Sequence, residues 1–138
     1  MKKNTYVFDI ECDNLLDDVT KIHCLSYSHV DELDVKTLTT YEDILSFLSQ
    51  DKLTLIAHNG ICYDIQVFKK LLGFDPQTLY KVVDTLGISW YLHSSKDKSY
   101  KHGLEAYGER LGVKKPEILT WSGLTGEEEE IIKYYEEL

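Results

Sequence analysis

Thr5-Tyr6-Val7-Phe8-Asp9-Ile10-Glu11 is a β-branched and aromatic run that closes on acidic residues. This composition predicts a strand over Thr5 to Ile10. Side chains alternate across a strand, so Asp9 and Glu11, two apart, project from the same face at its end. Two carboxylates placed together repel each other unless a cation or a proton offsets the charge. A divalent metal site is one solution; a solvated strand end is the ordinary alternative, because Asp-x-Glu spacing is common.

Working outward, Ile22 to Val30 and Leu33 to Leu38 are further strand-like runs around Asp31-Glu32, which predicts a hairpin. Tyr41 to Leu48 places Ile44, Leu45 and Leu48 at helical spacing, and Leu53 to Ala57 is a short continuous apolar strand. From Asp64 to Leu72 the apolar positions fit a helix that Gly73 ends. A short strand over Lys81 to Val83 leads into a helix over Thr85 to His93, with Asp84 as its natural N-cap. Further helices are predicted from Gly103 to Leu111 and from Gly126 to Leu138. An antiparallel β1-β2-β3 opening followed by alternating helices and strands implies an α/β domain with a mixed sheet flanked by helices. One domain spanning 1–138 is expected from the length.

Three more stretches carry residues suited to chemistry. His58-Asn59-Gly60-Ile61-Cys62-Tyr63-Asp64 runs from an apolar strand into a helix, with Asp64 either the cap of that helix or a catalytic group. Val83-Asp84-Thr85-Leu86 offers an aspartate with the same two readings. Tyr100 to Gly108, with His102 and Glu105, continues into Arg110-Leu111-Gly112 and alone reads as a plain amphipathic helix.

The formal charge of −9 argues against a nonspecific nucleic-acid binder, since phosphates are neutralised by Lys and Arg. It does not argue against an enzyme that meets a phosphate substrate through cations held by carboxylates. The local basic exception is Lys96, Lys98 and Lys101. Cys12, Cys24 and Cys62 form no CxxC pair, so free and mostly buried thiols are expected. No stretch approaches the roughly 18 apolar residues of a membrane span and the start lacks a signal-peptide core, so a cytoplasmic location is expected.

In this order and at these separations, FDIE, HNGICYD, VDTLGISWYLHS and HGLEAYGERLG resemble the 3′-to-5′ proofreading exonuclease domain of phage-type family A DNA polymerases. That domain is part of the DEDD exonuclease superfamily, and the resemblance implies a ribonuclease H-like fold. It implies that Asp9 bridges two divalent cations, Mg²⁺ or Mn²⁺, that Glu11 ligates one and helps place the attacking water, and that Asp64 supports the second. It implies a single-stranded DNA 3′ end docked near His58, Asn59, Tyr63 and His102, with a polymerase as a possible separate partner. Asp84 and His102, which resemble family positions near the site, are given a supporting role at most.

The third motif of that family is a Tyr followed four residues later by Asp on one helix face. Here the segment supplies the tyrosine and not the aspartate: counted from Tyr134, Leu138 stands where the acid belongs, and counted from Tyr135 the acid position falls one residue beyond it. Glu137, the nearest acid, lies about 100° around the helix from position 138. The sequence therefore leaves open a nuclease impaired by the missing acid, a fragment of a larger polymerase, a degenerate nucleic-acid- or partner-binding module, and an RNA-directed DEDD exonuclease.

Overall fold

A computed structural model describes residues 3–94 and 99–113. Its five-stranded mixed sheet has the order β3-β2-β1-β4-β5, built from β1 (Thr5–Cys12), β2 (Ile22–His29), β3 (Lys36–Leu38), β4 (Thr54–Ala57) and β5 (Lys81–Asp84). β1 pairs antiparallel with β2, and β2 with β3; β1 pairs parallel with β4, and β4 with β5. The helices are α1 (Tyr41–Leu48), α2 (Asp64–Leu72), α3 (Thr85–Leu92) and α4 (Leu104–Leu111). This is the mixed-sheet α/β architecture expected from the sequence, with the acid-bearing strand at its centre.

Alternation along β1 sets the two faces of the sheet. Phe8, Ile10 and Cys12 are buried with Ile44, Phe47 and Leu48 of α1 and Ile65, Val67 and Phe68 of α2. Phe8 stacks on Phe68 with ring centroids 5.8 Å apart, and Tyr27 packs on Phe47 at 4.4 Å. Val7, Asp9 and Glu11 occupy the other face, opposite Ser28, Ser26 and Cys24 of β2. The register slips between Glu11 and Cys12, which pairs with Ile22, so the strand bends just past the acids.

Element ends follow local chemistry. Thr40 Oγ1 accepts the Asp43 amide at 3.2 Å as the N-cap of α1, and Gly73, at φ 63, ends α2 in the left-handed region open to glycine. β3 is shorter than the expected Leu33 to Leu38, because Leu33 is fully exposed and the Ser28 hydroxyl donates to the Glu32 carbonyl, turning the chain instead of extending it. A single 3₁₀ turn at Pro76–Thr78, capped by Asp75, was not anticipated. Cys12 and Cys24 are buried and Cys62 is exposed, all three as free thiols. Among the described residues no helix is long and apolar enough to cross a membrane.

Candidate active site

β1 delivers Asp9 and Glu11 to one face of the sheet, and α2 delivers Asp64 from its first residue. Tyr63, not Asp64, holds the N-cap position of α2 and makes no side-chain cap bond, so the capping alternative for Asp64 is set aside. The Asp64 side chain is only 3% exposed, and its Oδ2 has no hydrogen-bond partner. Burial first, then the Asp9 carboxylate, pushes the Asp64 carboxyl up to about 8, with Glu11 adding in the same direction against amide hydrogen bonds from Asp64 and Ile10. Cys24, opposite Glu11, feels the same acids: burial and then the charges of Glu11 and Asp9 push its thiol up to about 12.

The donor set is thus all oxygen, partly desolvated and mutually repulsive, which is the chemistry of a hard-cation site. It is not a closed cage. Among the described residues, no group of three or more His, Cys, Asp and Glu side chains is gathered closely enough to hold a metal ion by itself. Water or substrate oxygens would have to complete the ligand set around Asp9, Glu11 and Asp64.

The turn from β4 into α2 is built by Asp84. Its Oδ1 accepts the Asn59 amide at 2.9 Å and the Leu86 amide at 3.0 Å, and its Oδ2 accepts the Ile61 amide at 3.2 Å. One carboxylate therefore caps α3, as expected, and also cradles the turn that leads to Asp64. Asn59 sits at φ 62, where Asn is tolerated better than most side chains. A Cβ on Gly60 would lie 2.8 Å from Cβ of Ala57, so this turn needs glycine there.

Of the four residues assigned to substrate, His58, Tyr63 and His102 have side-chain partners within the protein, and Asn59 is held through its backbone amide. His58 contacts Thr85 Oγ1 through Nδ1 at 2.9 Å and the His102 carbonyl through Nε2 at 2.7 Å. A carbonyl only accepts, so Nε2 carries a proton, and in the neutral ring Nδ1 accepts from Thr85. His102 meets the Ser89 hydroxyl through Nδ1 at 2.6 Å. The Tyr63 hydroxyl donates to the Asn14 carbonyl at 2.8 Å; burial and a hydrogen bond with Cys12 push its phenol above the ordinary tyrosine range. The loop after β1 is fixed further by Lys70 Nζ, which donates to the carbonyls of Leu16 at 2.8 Å and Asp17 at 3.0 Å. Asp13 closes its base: against the upward push of burial, bonds from the Thr20 hydroxyl and the Thr20 and Lys21 amides hold its carboxyl down at about 2.

Of the three site acids, Asp9 lines a cleft of about 450 Å³ whose walls also include Val7, His58, Thr85, Leu104 and Tyr107. Asp9, His58 and Thr85 thus face one space with α4, whereas Asn59 and Tyr63 lie in the turn before α2, from which the Tyr63 hydroxyl reaches the loop after β1. Sequence reasoning missed Ser89, Tyr107 and Asp13. The signal for Ser89 was there, as the polar side chain within the apolar run Leu86 to Leu92. Tyr134, Glu137, Leu138, Lys96 and Lys98 lie outside the described residues; Lys101 is exposed, and its carbonyl accepts from Arg110 Nη2 at 2.7 Å.

No protein-family profile matches the chain. It is 31% identical over 136 aligned positions to the DNA-directed DNA polymerase of Enterobacteria phage T3, covering 80% of this chain and 19% of the polymerase. The DNA-directed DNA polymerase of Escherichia phage T7 is 30% identical over the same shares. The chain thus spans about a fifth of the length of the curated relatives it matches. In fold it is similar to Brucella melitensis NrnC bound to pGG, with TM-score 0.63 and 19% identity over 88% of this chain and 60% of that one. It is also similar to Escherichia coli RNase D, an exoribonuclease involved in structured RNA processing, with TM-score 0.55 and 17% identity over 96% of this chain and 36% of that one. The chain is a relative of the exonuclease domain of phage-type family A DNA polymerases, with the ribonuclease H-like fold of the DEDD exonuclease superfamily.

Proposed function

We propose that the chain is a cation-dependent 3′-to-5′ exonuclease domain acting on single-stranded DNA ends. The observation that carries this reading is the desolvated Asp64 carboxyl, with one oxygen unpartnered and its proton held by the charges of Asp9 and Glu11. Such an arrangement is costly without a cation to replace the proton. Asp9 and Glu11 would hold Mg²⁺ or Mn²⁺ from β1 and Asp64 from α2, two ions in all. Bound there, the ions supply stabilisation of the attacking and leaving oxygens of an in-line phosphodiester hydrolysis. The protein's own part is to keep three carboxylates in register, with Glu11 accepting a hydrogen bond from the attacking water and the Asp84-braced turn fixing where α2 begins. Tyr134 would join them from the third motif, which lacks its acid at Leu138. A separate polymerase is the partner that the phage relatives favour. RNA is the second substrate reading, favoured by the likeness in fold to an exoribonuclease.

The test uses 5′-labelled single-stranded DNA and RNA with Mg²⁺, Mn²⁺ or EDTA. Slow shortening from the 3′ end is expected, faster on DNA, abolished by EDTA and by Asp9→Ala, and accelerated by Leu138→Asp. Absence of shortening by both the native chain and Leu138→Asp in either metal would overturn the reading.

A further inference from the structure

Among the described residues, the wall of the Asp9 cleft formed by α4 is held almost without apolar burial. α4 buries none of its residues, and α3, against which it hangs, buries only Ser89. The Ser89 side chain is 3% exposed, and its hydroxyl meets both His102 Nδ1, at 2.6 Å, and the Tyr107 hydroxyl. His102 precedes α4 and Tyr107 lies within it, so a single hydroxyl ties both ends of its first turn to α3. The outer side of the junction is pinned by Arg110, whose guanidinium lies 4.4 Å from the Tyr100 ring centre and 4.3 Å from that of Tyr107.

Thr85 and Ser89 are one helical turn apart on α3 and act on the same assembly. Thr85 holds His58 Nδ1, while Ser89 holds His102, whose carbonyl accepts the Nε2 proton of His58. His58, Thr85, Leu104 and Tyr107 then face the cleft with Asp9. We propose that Ser89 is a positioning residue for nucleic-acid binding: it suspends α4 as the wall of the cleft and fixes His58 as its Nε2-protonated tautomer. The ligand in this proposal rests on the exonuclease reading; the scaffold does not.

The experiment compares the full chain with Ser89→Ala, Ser89→Thr and Tyr107→Phe. Histidine ¹⁵N NMR reports the tautomers without nucleic acid, anisotropy of a fluorescein-labelled oligo(dT) in Ca²⁺ reports binding, and Mn²⁺ titration reports the carboxylates. The native chain should show the Nε2-protonated signature of His58. Ser89→Ala should blur it into tautomer exchange and weaken oligo(dT) binding about tenfold, as loss of two partly buried hydrogen bonds implies, with Mn²⁺ affinity unchanged. Ser89→Thr, which keeps the hydroxyl, should restore the native values, and Tyr107→Phe should fall between. Native histidine spectra and native binding in Ser89→Ala would overturn the proposal, as would a parallel loss of Mn²⁺ affinity, which marks a general structural role. If the native chain binds no oligo(dT), the exonuclease reading fails, and the histidine spectra still decide whether Ser89 sets the His58 tautomer.

Discussion

Asp64 keeps its proton to about pH 8 in the folded chain and releases it near 3.8 when unfolded. Between those values the folded state binds more protons than the unfolded one, so stability falls as pH rises across the window and levels off above it. Thermal melts in EDTA should show this decline, Asp64→Asn should flatten it, and Mn²⁺ should reverse it at the alkaline end; a slope unchanged in Asp64→Asn would place its origin elsewhere. Asp84 offers a purely structural contrast, since its carboxylate accepts three amides. Asp84→Ala should cost about 3 kcal/mol in urea unfolding, through loss of a cap and of charge-assisted bonds. At this scale the sequence was partly legible. Alternation alone put Asp9 and Glu11 on one face, and the position before a helix identified Asp84 as a cap. Its hold on Asn59 and Ile61 joins residues more than 20 positions apart in sequence, which no local pattern encodes.

Two glycines separate what a helix needs from what its packing needs. A Cβ on Gly108 of α4 would lie 2.5 Å from the Val113 carbonyl, part of the turn in which the Val113 amide returns to the Gly108 carbonyl at 2.8 Å. Gly87 of α3 meets nothing within 4 Å. Gly108→Ala should therefore destabilise by about 2 kcal/mol through forced displacement of backbone. Gly87→Ala should instead stabilise by roughly 0.5–1 kcal/mol through backbone entropy. Paired denaturation curves check both signs, and a stabilising Gly108→Ala would mean that the α4 turn is looser than described. Elements with a clean period, such as β1, α1 and α2, were readable to within a residue or two. α3 was readable as a helix, but its apolar residues surround the axis, so periodicity could not say that the single buried side chain would be Ser89. β3 was overextended because Leu33 reads as strand-like although it points into solvent.

At the scale of the molecule, a chain of net charge −9 has a central strand carrying two acids, a helix starting on a third and a cleft along Asp9, and these form the proposed site. The order of motifs was legible because each sits at a strand end or helix start, where the fold must place it. The depth at which Asp64 is buried was not, because it depends on packing between α2 and the sheet. The central claim is that Asp9, Glu11 and Asp64 act together as a cation site. Calorimetric titration of Mn²⁺ into the native chain, Asp9→Ala and Asp64→Asn tests it most directly. The account predicts binding heat in the native chain, its loss in Asp9→Ala and its marked weakening in Asp64→Asn; equal heats from all three proteins would contradict it.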